Sequence, residues 1–172
     1  MTRTILQMAV LAVVLILVQV VCSKIILFNV AMPIVFIYLI MRLPMNWHHN
    51  LTMTIAFVVG LIVDVFNNTP GMNAMASTIL AGVRHSVFNA YVPREDEMAE
   101  PIPSIDSLGF AVYFKYMLSL VLIYCTLIFF IQAFTLRDVL LTLTRILAST
   151  VLTTLVLLGV DSLVSTRREK GL

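Results

Sequence analysis

The chemistry this sequence can offer lies in a few polar residues set inside long apolar runs. Asp64 closes the stretch Gly60-Leu61-Ile62-Val63-Asp64, and Arg84 and Arg145 stand within later apolar stretches. Such groups are expensive in hydrocarbon unless they are paired or wetted, so each implies a partner. Asp64 precedes the turn Asn67-Asn68-Thr69-Pro70-Gly71 by less than one helical turn. Proline fixes φ there and glycine is free to take φ > 0, so a new helix is expected to open near Met72-Asn73. A carboxylate beside that helix N-terminus would meet unpaired N–H groups and the positive end of the dipole. Two readings of Asp64 follow: a brace for the turn, or a carboxylate that binds a partner or couples an ion.

No catalytic constellation accompanies it. The sequence has no HExxH, no glycine-rich phosphate loop and no cluster of cysteine with histidine. His48 and His49 are adjacent in a connection, so they do not share a helix face as an i, i+4 metal pair does. His85 stands alone and reads as a packed or interfacial residue. Asp64 and Asp161 are expected at opposite faces of the bilayer, too far apart to share a proton as an aspartyl dyad does. Cys22 and Cys125 lie in apolar runs and imply no disulfide framework. The expectation is therefore a protein without catalytic residues, metal or cofactor.

The elements that position these residues are membrane helices. Sixty per cent of the 172 residues are apolar and 12% are charged, with a mean hydropathy of +1.03. A soluble domain carries roughly a quarter charged residues and has no core large enough for this much apolar surface. The net charge of +2 does not suggest nucleic acid as a partner. Cutting at charges, prolines and turn residues leaves six apolar spans, at about 5–22, 25–41, 51–66, 72–91, 110–134 and 139–160. Most approach the roughly 20 residues that a hydrocarbon core requires. The expected fold is one all-α domain, a polytopic bundle of about six transmembrane helices over residues 1–172.

Basic residues orient the bundle. Arg3, Arg42, Arg94, Arg167, Arg168 and Lys170 fall at the two ends and in the second and fourth connections, against only Lys24 and Arg137 in the other three. That six-to-two bias predicts cytoplasmic termini and an outer Asn67 to Gly71 turn. The first span opens like a secretion signal, but Val20-Val21-Cys22 lacks a small-x-small cleavage site, so it is expected to stay. Asn67-Asn68-Thr69 is formally a glycosylation sequon of a kind common by chance.

Two spans carry polar stripes. In the fourth, Asn73, Ser77, Ala81 and Arg84 share one face, and Ala74, Thr78, Gly82 and His85 the next. Small residues allow close helix packing in membranes, so this helix is expected at the centre of the bundle, with Arg84 snorkelling to the cytoplasmic surface. In the last, Asp138, Thr142, Arg145, Ser149 and Thr153 lie along one face. Arg145 is placed to reach Asp64 as an internal clasp, with Asp138 or the lipid headgroups as its other choices. The longest connection, 92–109, has five acids, one base and three prolines, and reads as a solvated cytoplasmic loop that a basic partner would fit.

Gly60-Leu61-Ile62-Val63-Asp64, then Pro70-Gly71 and Asn73-Ala74, resembles the signature of the bacterial rod shape-determining protein MreD family. Length and six-span layout are similar to that family across the chain; the long acidic connection is not. The resemblance implies a non-enzymatic scaffold in the bacterial inner membrane that works with MreC, the actin-like MreB and the elongation transglycosylase and transpeptidase in peptidoglycan synthesis. A homodimer is a further partner option. The family is in turn similar to the substrate-binding component of energy-coupling-factor vitamin transporters, which makes a small-molecule carrier the alternative. Those carriers typically show Ala-x-x-x-Ala in the first helix, whereas Ala9 and Ala12 here are three apart. A membrane enzyme acting on lipid-linked substrates is a third class, without a recognisable constellation to support it.

Overall fold

The structure, a computed structural model, describes residues 2–23, 33–92, 102–132 and 139–169. All regular structure among them is helical: α1 (Thr2–Ser23), α2 (Ile37–Arg42), α3 (His49–Asn67), α4 (Met72–Tyr91), α5 (Ile105–Leu108), α6 (Phe110–Gln132) and α7 (Val139–Glu169). Among the described residues, three segments are long and apolar enough to cross a membrane, namely α3, α6 and Thr142–Ser162 of α7. That is consistent with a membrane protein.

The bundle is apolar on its outer surface as well as in its core, and several polar side chains are held inside. Val13, Leu17 and Val21 of α1, Phe57, Leu61 and Val65 of α3, and Leu143, Leu147, Val151 and Leu155 of α7 face outward. Tyr38, Tyr113, Tyr116, Tyr124, Gln19, Arg84 and Asp161 are buried. Helix α3 packs along α4, α4 along α6, and α6 along α7, while α1 lies against α3. Helix α2 is enclosed by this arrangement, touching α1, α4 and α6. Every residue from 33 to 44 is buried.

The enclosed segment corrects the expectation of one continuous second span over 25–41. Its first part, 24–32, lies outside the described residues, but 33–36 are not regular helix and α2 has only six residues. At the first limit, Ile34, Val35 and Phe36 give their N–H groups to the side chains of Thr153 and Gln19 rather than to a preceding helical turn; at the second, proline acts. Leu43, held at φ −59°, ψ 142° ahead of Pro44, is extended and ends the helix.

The connection 92–109 is not solvated throughout. Residues 93–101 lie outside the described residues, but Ile102 is buried and Ile105 and Leu108 pack on the core. One apolar residue every third position turns this end of an acidic connection inward. Ser104 and Ser107 cap the single turn α5 reciprocally, each hydroxyl accepting the other's backbone N–H at 3.2 and 3.0 Å.

Candidate functional site

The motif residues fold into one unit where α3 meets α4. Helix α3 stops at Asn68, which takes the left-handed conformation (φ 54°) that asparagine tolerates, and Asn68 donates its N–H to the Asp64 carbonyl. Thr69 N–H donates to the same carbonyl at 3.1 Å. Gly71, at φ 75°, is the N-cap of α4 and has no side chain to cap with. Asp64 supplies that cap from the preceding helix.

Asp64 is 4% exposed, and its carboxylate is clasped by four donors. Its Oδ1 accepts from Thr69 Oγ1 at 2.5 Å, Asn73 N at 3.0 Å and Asn73 Nδ2 at 2.8 Å. Its Oδ2 accepts from Ala74 N at 2.8 Å. Two orphan N–H groups of α4 are thus satisfied by an anion at the positive end of the helix dipole. Asn73 extends the network, with Nδ2 donating also to Thr69 Oγ1 at 3.1 Å and Oδ1 accepting from Tyr124 of α6 at 2.7 Å. This is the bracing geometry expected of Asp64. The internal clasp with Arg145 is not formed: none of the four donors is Arg145, because the turn's own donors already take up both oxygens.

Gly60, one turn before Asp64, permits the approach. A Cβ there would stand 2.7 Å from both Ala74 Cα and Asn73 O, and would overlap Ser77 Oγ. Ser77 is fully buried and donates to Ala56 O of α3 at 2.8 Å and to Ala74 O at 3.1 Å. Glycine on one helix, and alanine and serine on the other, bring the backbones close enough for Asp64 to reach the start of α4. Pro70 and Gly71 are exposed at the tip of the turn.

Arg84 does not snorkel. It is 3% exposed and lies at the C-terminal end of α2, where Nη2 donates to Leu43 O and approaches Met45 Sδ at 3.1 Å. Its Nε donates to Tyr116 Oη at 3.2 Å, and Tyr116 Oη donates to Met41 O at 3.4 Å. The ring of Phe88 meets Tyr116 edge-on at 5.8 Å. A cation over the open carbonyls of a buried helix end is favoured by the dipole and cannot be had from water there.

Gln19 of α1 does the equivalent at the other end. Its Oε1 accepts from Val35 N at 2.6 Å and Phe36 N at 3.3 Å, and its Nε2 donates to Pro33 O at 3.3 Å. Thr153 Oγ1 of α7 accepts from Ile34 N at 3.2 Å. Irregular backbone at membrane depth is tolerated only when its polar groups are satisfied within the protein, and these side chains satisfy them.

A further buried cluster surrounds Asp161. Its Oδ1 accepts from Tyr38 Oη at 2.6 Å and Tyr113 Oη at 3.1 Å. Arg42 Nη1 donates to Tyr38 Oη at 2.8 Å, so one hydroxyl links guanidinium to carboxylate. Tyr113 at this cluster and Tyr124 at the Asp64 turn are eleven residues apart on α6, roughly 16 Å of helix. The two aspartates therefore occupy separate ends of the bundle.

Gln19, Tyr38, Arg42, Tyr113, Tyr116 and Tyr124 were not legible as site residues from the sequence, and Thr153 was placed on a polar face without its role. The tyrosines had a signal: Tyr113, Tyr116 and Tyr124 share one face of α6, and buried phenols need acceptors. Arg145, expected to pair, has a buried Nε without a hydrogen-bond partner; Asp138 lies outside the described residues. His48, His49 and His85 are exposed, and no group of three or more potential metal ligands occurs among the described residues. No family profile, curated protein or solved structure matches the chain.

Proposed function

We propose that this chain is a non-enzymatic membrane scaffold of the MreD type, six-span and with cytoplasmic termini, serving lateral cell-wall synthesis in a bacterial inner membrane. One observation carries the reading. The residues on which the resemblance rests, Gly60, Asp64, Asn73 and Ala74, interlock into a rigid turn that presents Pro70 and Gly71 at its tip. A rigid, exposed turn on a bundle otherwise facing lipid suits association better than turnover. Its partners are MreC, and through it or directly MreB and the elongation synthases, with a second copy as the further candidate.

A photo-crosslinker at Pro70 in living cells tests this. Capture of MreC, together with loss of rod shape when the Gly60 contact is broken, is the expected result. An impermeant thiol reagent should label a Pro70→Cys variant and spare a Ser165→Cys variant, and the opposite pattern inverts the topology.

The carrier reading has its own supporting observation, the broken segment 33–36, since interrupted helices often line transport sites. Here Gln19 and Thr153 already occupy the freed N–H groups. Tight binding of a vitamin-like molecule by the purified protein would favour the carrier instead.

A further inference from the structure

We propose that Arg145 holds the phosphodiester group of a membrane lipid at the interface where α7 begins. This rests on the membrane-spanning part of the reading above and is independent of any place in wall synthesis. Arg145 is six residues beyond Val139, the first residue of α7, or about 9 Å along the helix. Helical side chains lean toward the N-terminus, so its long side chain runs back toward the surface rather than deeper into hydrocarbon.

Its surroundings call for an anion. Nε is shielded and donates to nothing within the chain, so an acceptor from outside would be taken by the terminal nitrogens of the guanidinium, which needs acceptors in this setting. Among the described acids, Asp64 is taken by four donors and Asp161 by two tyrosines, and both are buried. Asp106 is on α5, which precedes the Tyr113 end of α6, and Glu169 closes α7, about 36 Å of helix from Arg145. A second copy has Asp64 and Asp161 equally enclosed, so self-association does not complete the site through those two.

Position selects a lipid phosphate. Arg145 lies on the flank of α7, between the buried Ile146 and Ser149 and the exposed Leu143 and Leu147. The leucines would rest against acyl chains while the guanidinium reaches up to the headgroup of the same lipid. A phosphate is present at that depth in every phospholipid bilayer, and arginine is the side chain best shaped to hold it.

Native mass spectrometry of the full chain, titrated with phosphatidylglycerol, tests the assignment. The first lipid should bind roughly tenfold more weakly to Arg145→Gln, the loss expected for a charge-assisted hydrogen bond. Arg145→Lys should keep most of the binding, and it guards against a folding defect. Equal lipid binding by wild type and Arg145→Gln would overturn the proposal. So would the same loss in Asp138→Asn, which would place the guanidinium on its own chain. Capture of a protein by a crosslinker at Leu143, dependent on Arg145, would assign the site to a partner's carboxylate instead. A wild-type chain that stays soluble without detergent and retains no lipid would refute the membrane reading itself.

Discussion

Asp64 Oδ1 receives both nitrogen donors of Asn73, the backbone N–H at 3.0 Å and the side-chain amide at 2.8 Å. Oδ2 is used as well, by Ala74 N. Both oxygens must therefore accept, which makes the site selective for carboxylate over amide. Asparagine, though a good helix cap in general, would turn an NH2 group toward a donor. We expect Asp64→Asn to destabilise the protein by about 1–3 kcal/mol, the cost of a buried donor without an acceptor. Asp64→Ala should be worse. Thermal unfolding in detergent measures both, and an Asp64→Asn protein as stable as wild type would show that the carboxylate is not needed as a brace.

Gly60 is tested by adding a single methyl group. The obstructing atoms include backbone, Ala74 Cα and Asn73 O, so no rotamer change relieves Gly60→Ala. Separation of α3 from α4 should cost about 1–3 kcal/mol and pull Asp64 from the start of α4. Ser77→Ala removes one overlapping atom and leaves the backbone in place. The double variant should accordingly be no more stable than Gly60→Ala. Restored stability would shift the constraint from backbone to side chain.

What was legible in the sequence was local. Gly60, Asp64, Pro70, Gly71 and Asn73 lie within fifteen residues, and turn chemistry with helix spacing is enough to bring them together. The enclosed segment was not legible, since its partners are remote: Gln19 with Val35, Thr153 with Ile34, Arg84 with Leu43. Hydropathy reads residues 34–41 as the end of a span, because an apolar stretch buried in protein looks the same as one buried in lipid. Arg84 misled for a related reason. Proximity to a helix end suggested snorkelling, while the carbonyls it serves belong to another helix.

Gln19 offers the sharpest test of that enclosed segment. Gln19→Leu keeps the bulk but strands two N–H groups and the Pro33 carbonyl. A loss of about 1–3 kcal/mol is expected for each group left dry. Gln19→Glu retains the acceptor and, protonated at this buried position, a donor as well, but at a desolvation cost, so it should fall between wild type and Gln19→Leu. Hydrogen exchange at Val35 and Phe36 should accelerate in Gln19→Leu. Unchanged protection at those amides would mean that Gln19 is not their cap.

Arg42 and Asp161 are opposite charges joined through the Tyr38 hydroxyl, which accepts from one and donates to the other. Such an arrangement predicts coupling that depends on the third residue. Arg42→Gln and Asp161→Asn should each destabilise, because each leaves a buried charge with less compensation. The double variant should cost less than their sum, with an interaction energy of about 0.5–3 kcal/mol. Tyr38→Phe removes the linking hydroxyl and leaves Tyr113 still donating to Asp161. In that background the same cycle should shrink markedly, since the charges then interact only through space. Unfolding measurements on the eight proteins of this triple cycle, wild type included, decide the matter. Coupling that persists undiminished in Tyr38→Phe would mean that the two charges sense each other directly, and that the hydroxyl fills space without linking them.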